Sequence, residues 1–121
     1  MTIVYIAIAG TIGTLARFLI SQLIIKYTNA NFPWATLTVN LVGCFLIGVA
    51  YQISINQNWP MSLKWILFGG FLAAFTTFSA FGLETIQLIE KNQIQSAVTY
   101  ILTSNIGGVL LVWLAMKLSS Q

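Results

Sequence analysis

Charge is nearly absent from four long stretches of this sequence, and that scarcity decides its solvent. Five Lys or Arg and two Glu stand among 121 residues, 58% of which are hydrophobic, whereas about a quarter of the residues of a soluble domain are charged. An apolar run of about 20 residues crosses a bilayer as a helix. Polar and turn-forming residues interrupt the apolar character at few places, so the sequence predicts a single all-α membrane domain, 1–121, with spans at 2–25, 33–54, 61–90 and 93–117. No signal peptide is evident, because the first span has no charged segment before it. The net charge of +3 comes from cations scattered without a cluster; they read as helix-end anchors, not as a nucleic-acid surface. With no His, no Asp and a single cysteine, Cys44, inside an apolar stretch, the usual catalytic and transition-metal sites cannot be assembled. Enzyme activity is not expected.

The most unusual stretch is 69–84, GGFLAAFTTFSAFGLE, in the third span. Thr76 and Thr77 are adjacent β-branched residues and poor helix formers, which predicts a helix that opens near Ala73–Thr77. An opening frees backbone carbonyls on one side and N–H groups on the other, and at membrane depth such backbone survives only where protein buries it or a wet cavity meets it. An unbroken helix whose hydroxyls bond back to its own carbonyls is the equal alternative. Phe78 and Phe81 follow three apart. Glu84 lies roughly 14 Å beyond the middle of the span by helical rise, at the depth of a vestibule and not of the midplane.

The other spans carry isolated polar residues. Arg17 lies about 12 Å inside Lys26 by helical rise; it serves either as a functional or structural anchor or as a side chain snorkelling to the headgroups. Ala7, Ala9, Gly10, Gly13 and Ala16 give the first span a small-residue face suited to close helix packing. Pro33 suits the first turn of the second span, and Trp34, Trp59 and Trp65 mark interfacial depth. Asn40 needs a partner, either a neighbouring helix or a solute in a polar passage. In the fourth span Tyr100 and Ser104 share a face; they either pass a small solute between hydroxyls or bond local carbonyls.

Lys64, Lys117 and the amino terminus fall on one side of the membrane, Lys26 and Lys91 on the other. Neither side wins the positive-inside comparison. Such a chain can insert both ways, and a dimer of opposed chains would have a two-fold axis in the membrane plane.

Thr76-Thr77-Phe78-Ser79-Ala80-Phe81, followed by Glu84, resembles the signature third helix of the Fluc/CrcB family of fluoride channels. Gly10-Thr11-Ile12-Gly13-Thr14-Leu15-Ala16-Arg17-Phe18 resembles that family's first-helix motif, and the segment from Thr36 through Asn40 and Gly43 to Gly48 its second. The resemblance implies an antiparallel, dual-topology dimer in a bacterial-type plasma membrane, with two fluoride pores and one structural sodium ion held by carbonyls of the broken third helices. It assigns the sodium-binding carbonyls to Ala73 and Thr76, and the fluoride pathway to Asn40, Thr77, Phe78, Ser79, Phe81, Glu84, Tyr100 and Ser104. Most of the family has Gly-Gly where this chain has Ala73-Ala74, and alanine tolerates fewer backbone conformations. Some members pair with a diverged sister chain, so one subunit of a heterodimeric channel is a second expectation.

Fluoride is small and strongly hydrated, so a dry pore must replace its water with amides, hydroxyls and the positive edges of phenyl rings. The resemblance implies passive fluoride export that relieves fluoride toxicity, and this chemistry agrees with it. The alternative from another class is a four-helix proton-coupled exporter of cationic drugs, which needs a titratable carboxylate deep in the membrane. The acids present, Glu84 and Glu90, lie toward one end of the third span.

Overall fold

The computed structural model describes all residues 1–121. Helix α1 spans Thr2–Tyr27 and α2 spans Trp34–Asn56. The third span is two helices, α3 over residues 61–75 and α4 over Phe78–Glu90, and α5 spans Ile94–Ser119. Four lengths, Thr2–Tyr27, Trp34–Asn56, Met61–Glu90 and Ile94–Ser119, are long and apolar enough to cross a membrane. The protein is a multi-pass membrane protein. Expected ends at 25, 54 and 117 fall two residues short, because backbone hydrogen bonding runs on into the polar flank after apolarity has stopped. Two turns use asparagine in the left-handed region, Asn58 (φ 51°) after α2 and Asn92 (φ 58°) after α4, a conformation that Asn tolerates better than most side chains.

The third span breaks at the two threonines. Phe75 closes α3, Thr76 is extended (φ −88°, ψ 162°), and Thr77 (φ −150°, ψ 123°) is the N-cap of α4, its hydroxyl accepting from the Ala80 N–H at 3.3 Å. β-Branched residues are at ease in extended backbone, and a threonine oxygen satisfies one of the orphan donors of a new helix. Ala73 itself is ordinary right-handed helix (φ −64°, ψ −34°), so the opening is narrower than 73–77. The conformational limits of alanine do not bear on it.

Helix α1 packs along α3, α4 along the first half of α5, and α2 along the second half of α5. Close approach of α1 to α3 depends on Gly13, where a Cβ would strike the Phe71 backbone. Two stretches, Trp65–Leu72 in α3 and Thr103–Gly107 in α5, widen to π-type hydrogen bonding. Such widening gathers at functional positions, and both stretches flank the break or face it. The core inside the bundle is small: Leu37, Leu88, Ala97 and Tyr100, with Phe32, Leu41 and Phe81 against them. Apolar side chains such as Ile3, Leu19 and Val109 point outward instead, as lipid permits.

Candidate ion pathway

The break sets a helix C-terminus against a helix N-terminus at the middle of the span. The C-terminal end of α3 carries carbonyls without helical donors and the N-terminal end of α4 carries free N–H groups, giving partial negative and partial positive character side by side. In a continuous helix the Thr77 N–H would bond the Ala73 carbonyl. Here it donates to Asn40 Oδ1 at 2.8 Å, while Asn40 Nδ2 donates to the Thr77 carbonyl at 2.9 Å. Asn40 therefore splices α2 to the backbone of the break. An amide NH2 has two protons, and the second is uncommitted in a groove that Asn40 helps line.

That central groove, about 420 Å³, is lined by Asn40, Thr76, Thr77, Phe78, Phe81 and Ser104, among others. The Phe78 and Phe81 rings lie 5.6 Å apart and tilted by 42°. Phe78 is 81% exposed, and the groove around it mixes apolar side chains such as Ile47, Phe68 and Leu72 with the polar Asn40, Thr76, Thr77, Ser104 and Asn105. Ser104 Oγ is buried and has no partner within the chain. It does not bond back to its own helix, which widens at this residue.

On the other side of the Phe81 ring the polar groups are spent on one another. Phe81 meets Tyr100 edge to face at 5.0 Å. Tyr100 is fully buried and its hydroxyl donates to Glu84 Oε2 at 2.7 Å, while Thr36 Oγ1 donates to Glu84 Oε1 at 2.7 Å. Glu84 opens outward into a vestibule of about 380 Å³ between the α1–α2 connection and the α4–α5 turn, with Asn29, Asn31, Lys91 and Gln93 on its wall. The carboxylate thus sits between vestibule and groove.

A third cavity, about 460 Å³, lies on the opposite face of the break and holds Thr14, Arg17, Ser21, Thr77 and Ser79. Arg17 Nη1 donates to the Thr76 carbonyl at 3.4 Å, so the guanidinium is turned inward to the break and not toward the headgroups. Ser79 Oγ lies 3.3 Å from Thr77 Oγ1.

The residues singled out from sequence are therefore distributed. Asn40, Thr77, Phe78, Phe81 and Ser104 meet at the central groove with Ala73 and Thr76; Ser79 and Arg17 face the third cavity; Glu84 lines the vestibule, with Tyr100 buried behind it and bonded to its carboxylate. Thr36 had no assigned role, yet it holds Glu84. The signal was present in its spacing, since Thr36, Asn40 and Gly43 fall on one face of α2. No three His, Cys, Asp or Glu side chains come together. The oxygens that could hold a cation are the neutral carbonyls ending α3.

The family described as CrcB-like protein, Camphor Resistance (CrcB), matches residues 4–116. This chain belongs to the CrcB family. It is 39% identical to the Fluoride-specific ion channel FluC of Flavobacterium psychrophilum, over 99% of this chain and 98% of the relative. It is 37% identical to the protein of that name from Methylobacillus flagellatus, over 96% and 92%. A third, from Rhizobium etli, is 43% identical over 82% and 80%. CrcB relatives are thus named as ion channels, not as enzymes.

Proposed function

We propose that this chain forms a fluoride-selective channel that lets fluoride leave the cell passively and so relieves its toxicity. The observation that carries the reading is the central groove, where an amide proton of Asn40, the unpartnered Ser104 hydroxyl and the Phe78 and Phe81 rings converge beside the N-terminus of α4. The donors favour an anion, and phenyl rings can do so through their positive edges; the names of the relatives supply fluoride. Phenyl edges hold an anion weakly, and conduction needs sites that are left as readily as they are entered. The carboxylate that a cationic-drug exporter would expose is held by the Thr36 and Tyr100 hydroxyls.

The groove also supports an antiparallel dimer. Phe78 is exposed beside open backbone and hydroxyls, and irregular backbone at membrane depth needs either a protein cover or a wet cavity. A second copy, inserted in the opposite sense, supplies that cover and brings two α3 ends together. Ala73 and Thr76 carbonyls are the residues that would hold a sodium ion there; a hard cation suits neutral oxygens at helix C-termini and would neutralise their crowded partial charges. Arg17 takes one lone pair of the Thr76 oxygen, and a carbonyl has two.

Liposomes containing this chain alone test the reading. Fluoride-loaded vesicles should empty while chloride-loaded ones retain their content. Equal rates contradict selectivity, and flux that appears only with a second gene product contradicts the homodimer.

A further inference from the structure

We propose that Gly43 is a positioning residue for the break: its missing side chain is the socket for the Thr76 methyl group, and this contact sets where the Thr76 carbonyl and the Thr77 amide point. The proposal deepens the channel reading and rests on it only for its consequence in flux. A Cβ built on Gly43 would overlap Thr76 Cγ2 well inside van der Waals contact and would lie 3.6 Å from Thr76 Cβ and 3.5 Å from Phe75 Cδ1. Neither neighbour can retreat without loss. Thr76 is fixed in its rotamer by a hydroxyl bond to the Leu72 carbonyl at 3.0 Å, and turning the methyl away breaks that bond. Phe75 is 2% exposed and stacked on Phe71 at 5.7 Å.

The contact belongs to a series along one face of α2. Thr36 holds Glu84 of α4, Asn40 holds both backbone groups of Thr77, and Gly43 admits Thr76. Successive positions of a single helix face thus dock on the acid, the cap and the last turn before it. The first two contacts are hydrogen bonds with some latitude in angle. The third is steric and leaves no room for a methyl group. Gly43 therefore sets the distance between α2 and the break, and a side chain there would displace the Thr76 carbonyl that Arg17 also reaches.

A double-mutant cycle tests this, because serine at 76 keeps the hydroxyl and lacks only the methyl. Gly43→Ala, Thr76→Ser and the double variant are compared with the parent for fluoride efflux, for fluoride over chloride selectivity, for Thr77 amide exchange and for unfolding of the purified protein. Gly43→Ala should assemble but conduct at least about tenfold less, since one methyl forced into a filled site displaces its surroundings, with reduced selectivity and faster Thr77 exchange. In the Thr76→Ser background the same substitution should change little. Equal effects of Gly43→Ala in both backgrounds overturn the proposal, as does a Gly43→Ala protein of lowered stability whose assembled fraction conducts and selects like the parent. A parent without selective flux overturns the channel reading instead. Unfolding and amide exchange then still decide whether Gly43 holds the break, because neither requires conduction.

Discussion

Asn40 is the side chain whose loss should be felt most directly at the break. Asn40→Leu keeps the volume roughly constant while removing both bonds to Thr77, at 2.8 and 2.9 Å. A buried polar group left without a partner costs about 1–3 kcal/mol, so the two Thr77 groups together set an upper range of ~2–6 kcal/mol. Hydrogen bonds between membrane helices average only about 0.6 kcal/mol, which puts the lower bound near 1 kcal/mol for the pair. Reversible unfolding in mixed micelles, titrated with a denaturing detergent, reads the total, and hydrogen exchange at the Thr77 amide reads the site. The expected result is a destabilisation of about 1 kcal/mol or more, with a fall of at least ~5-fold in Thr77 protection. A change below about 0.5 kcal/mol, the range of an ordinary surface substitution, with Thr77 protection unaltered, would refute the splice between α2 and the break.

Further perturbations separate the parts of the pathway. Phe78→Ile and Phe81→Ile should both lower fluoride flux with assembly intact, and Phe81→Ile should destabilise more, because Phe81 packs on buried Tyr100 whereas Phe78 is exposed in the single chain; conduction like the parent by both variants makes the rings packing only. Thr36→Val, which removes one donor from Glu84 at nearly constant volume, should slow flux without changing the amount of assembled protein, and unchanged flux would show that the Glu84 cluster lies off the path. A thiol reagent confined to one side should modify a cysteine engineered beside Lys117 in about half of the molecules if chains insert both ways, whereas full or zero labelling denies dual topology. Replacing sodium by a large organic cation should weaken the dimer or its flux, and indifference of both would remove the sodium site at Ala73 and Thr76.

Much of this arrangement was legible in the sequence because it is local. Hydropathy gave the four spans, and the adjacent Thr76 and Thr77 marked the place of the break, although they left an unbroken helix equally open. What the residues alone could not decide was partnership across long separations. Arg17 was recognisable as a charge at depth, but its bond to Thr76 joins residues 59 positions apart. Asn40 read equally as glue and as lining; its geometry makes it a splice with one proton to spare. Glu84 stood out as an acid, yet the hydroxyls that hold it come from two other helices. The widening of α5 at Thr103–Gly107 is marked by no proline or other residue that forbids an ordinary helix.

The most direct measurement is the zero-current potential of a planar bilayer that contains this chain as its only protein, with fluoride on both sides at unequal concentrations and chloride making up the difference, at matched sodium and pH. The account predicts a current that vanishes near the equilibrium potential of fluoride and does not move when chloride is exchanged for a large inert anion. A potential near zero, or one that follows an imposed proton gradient, would contradict a fluoride-selective channel.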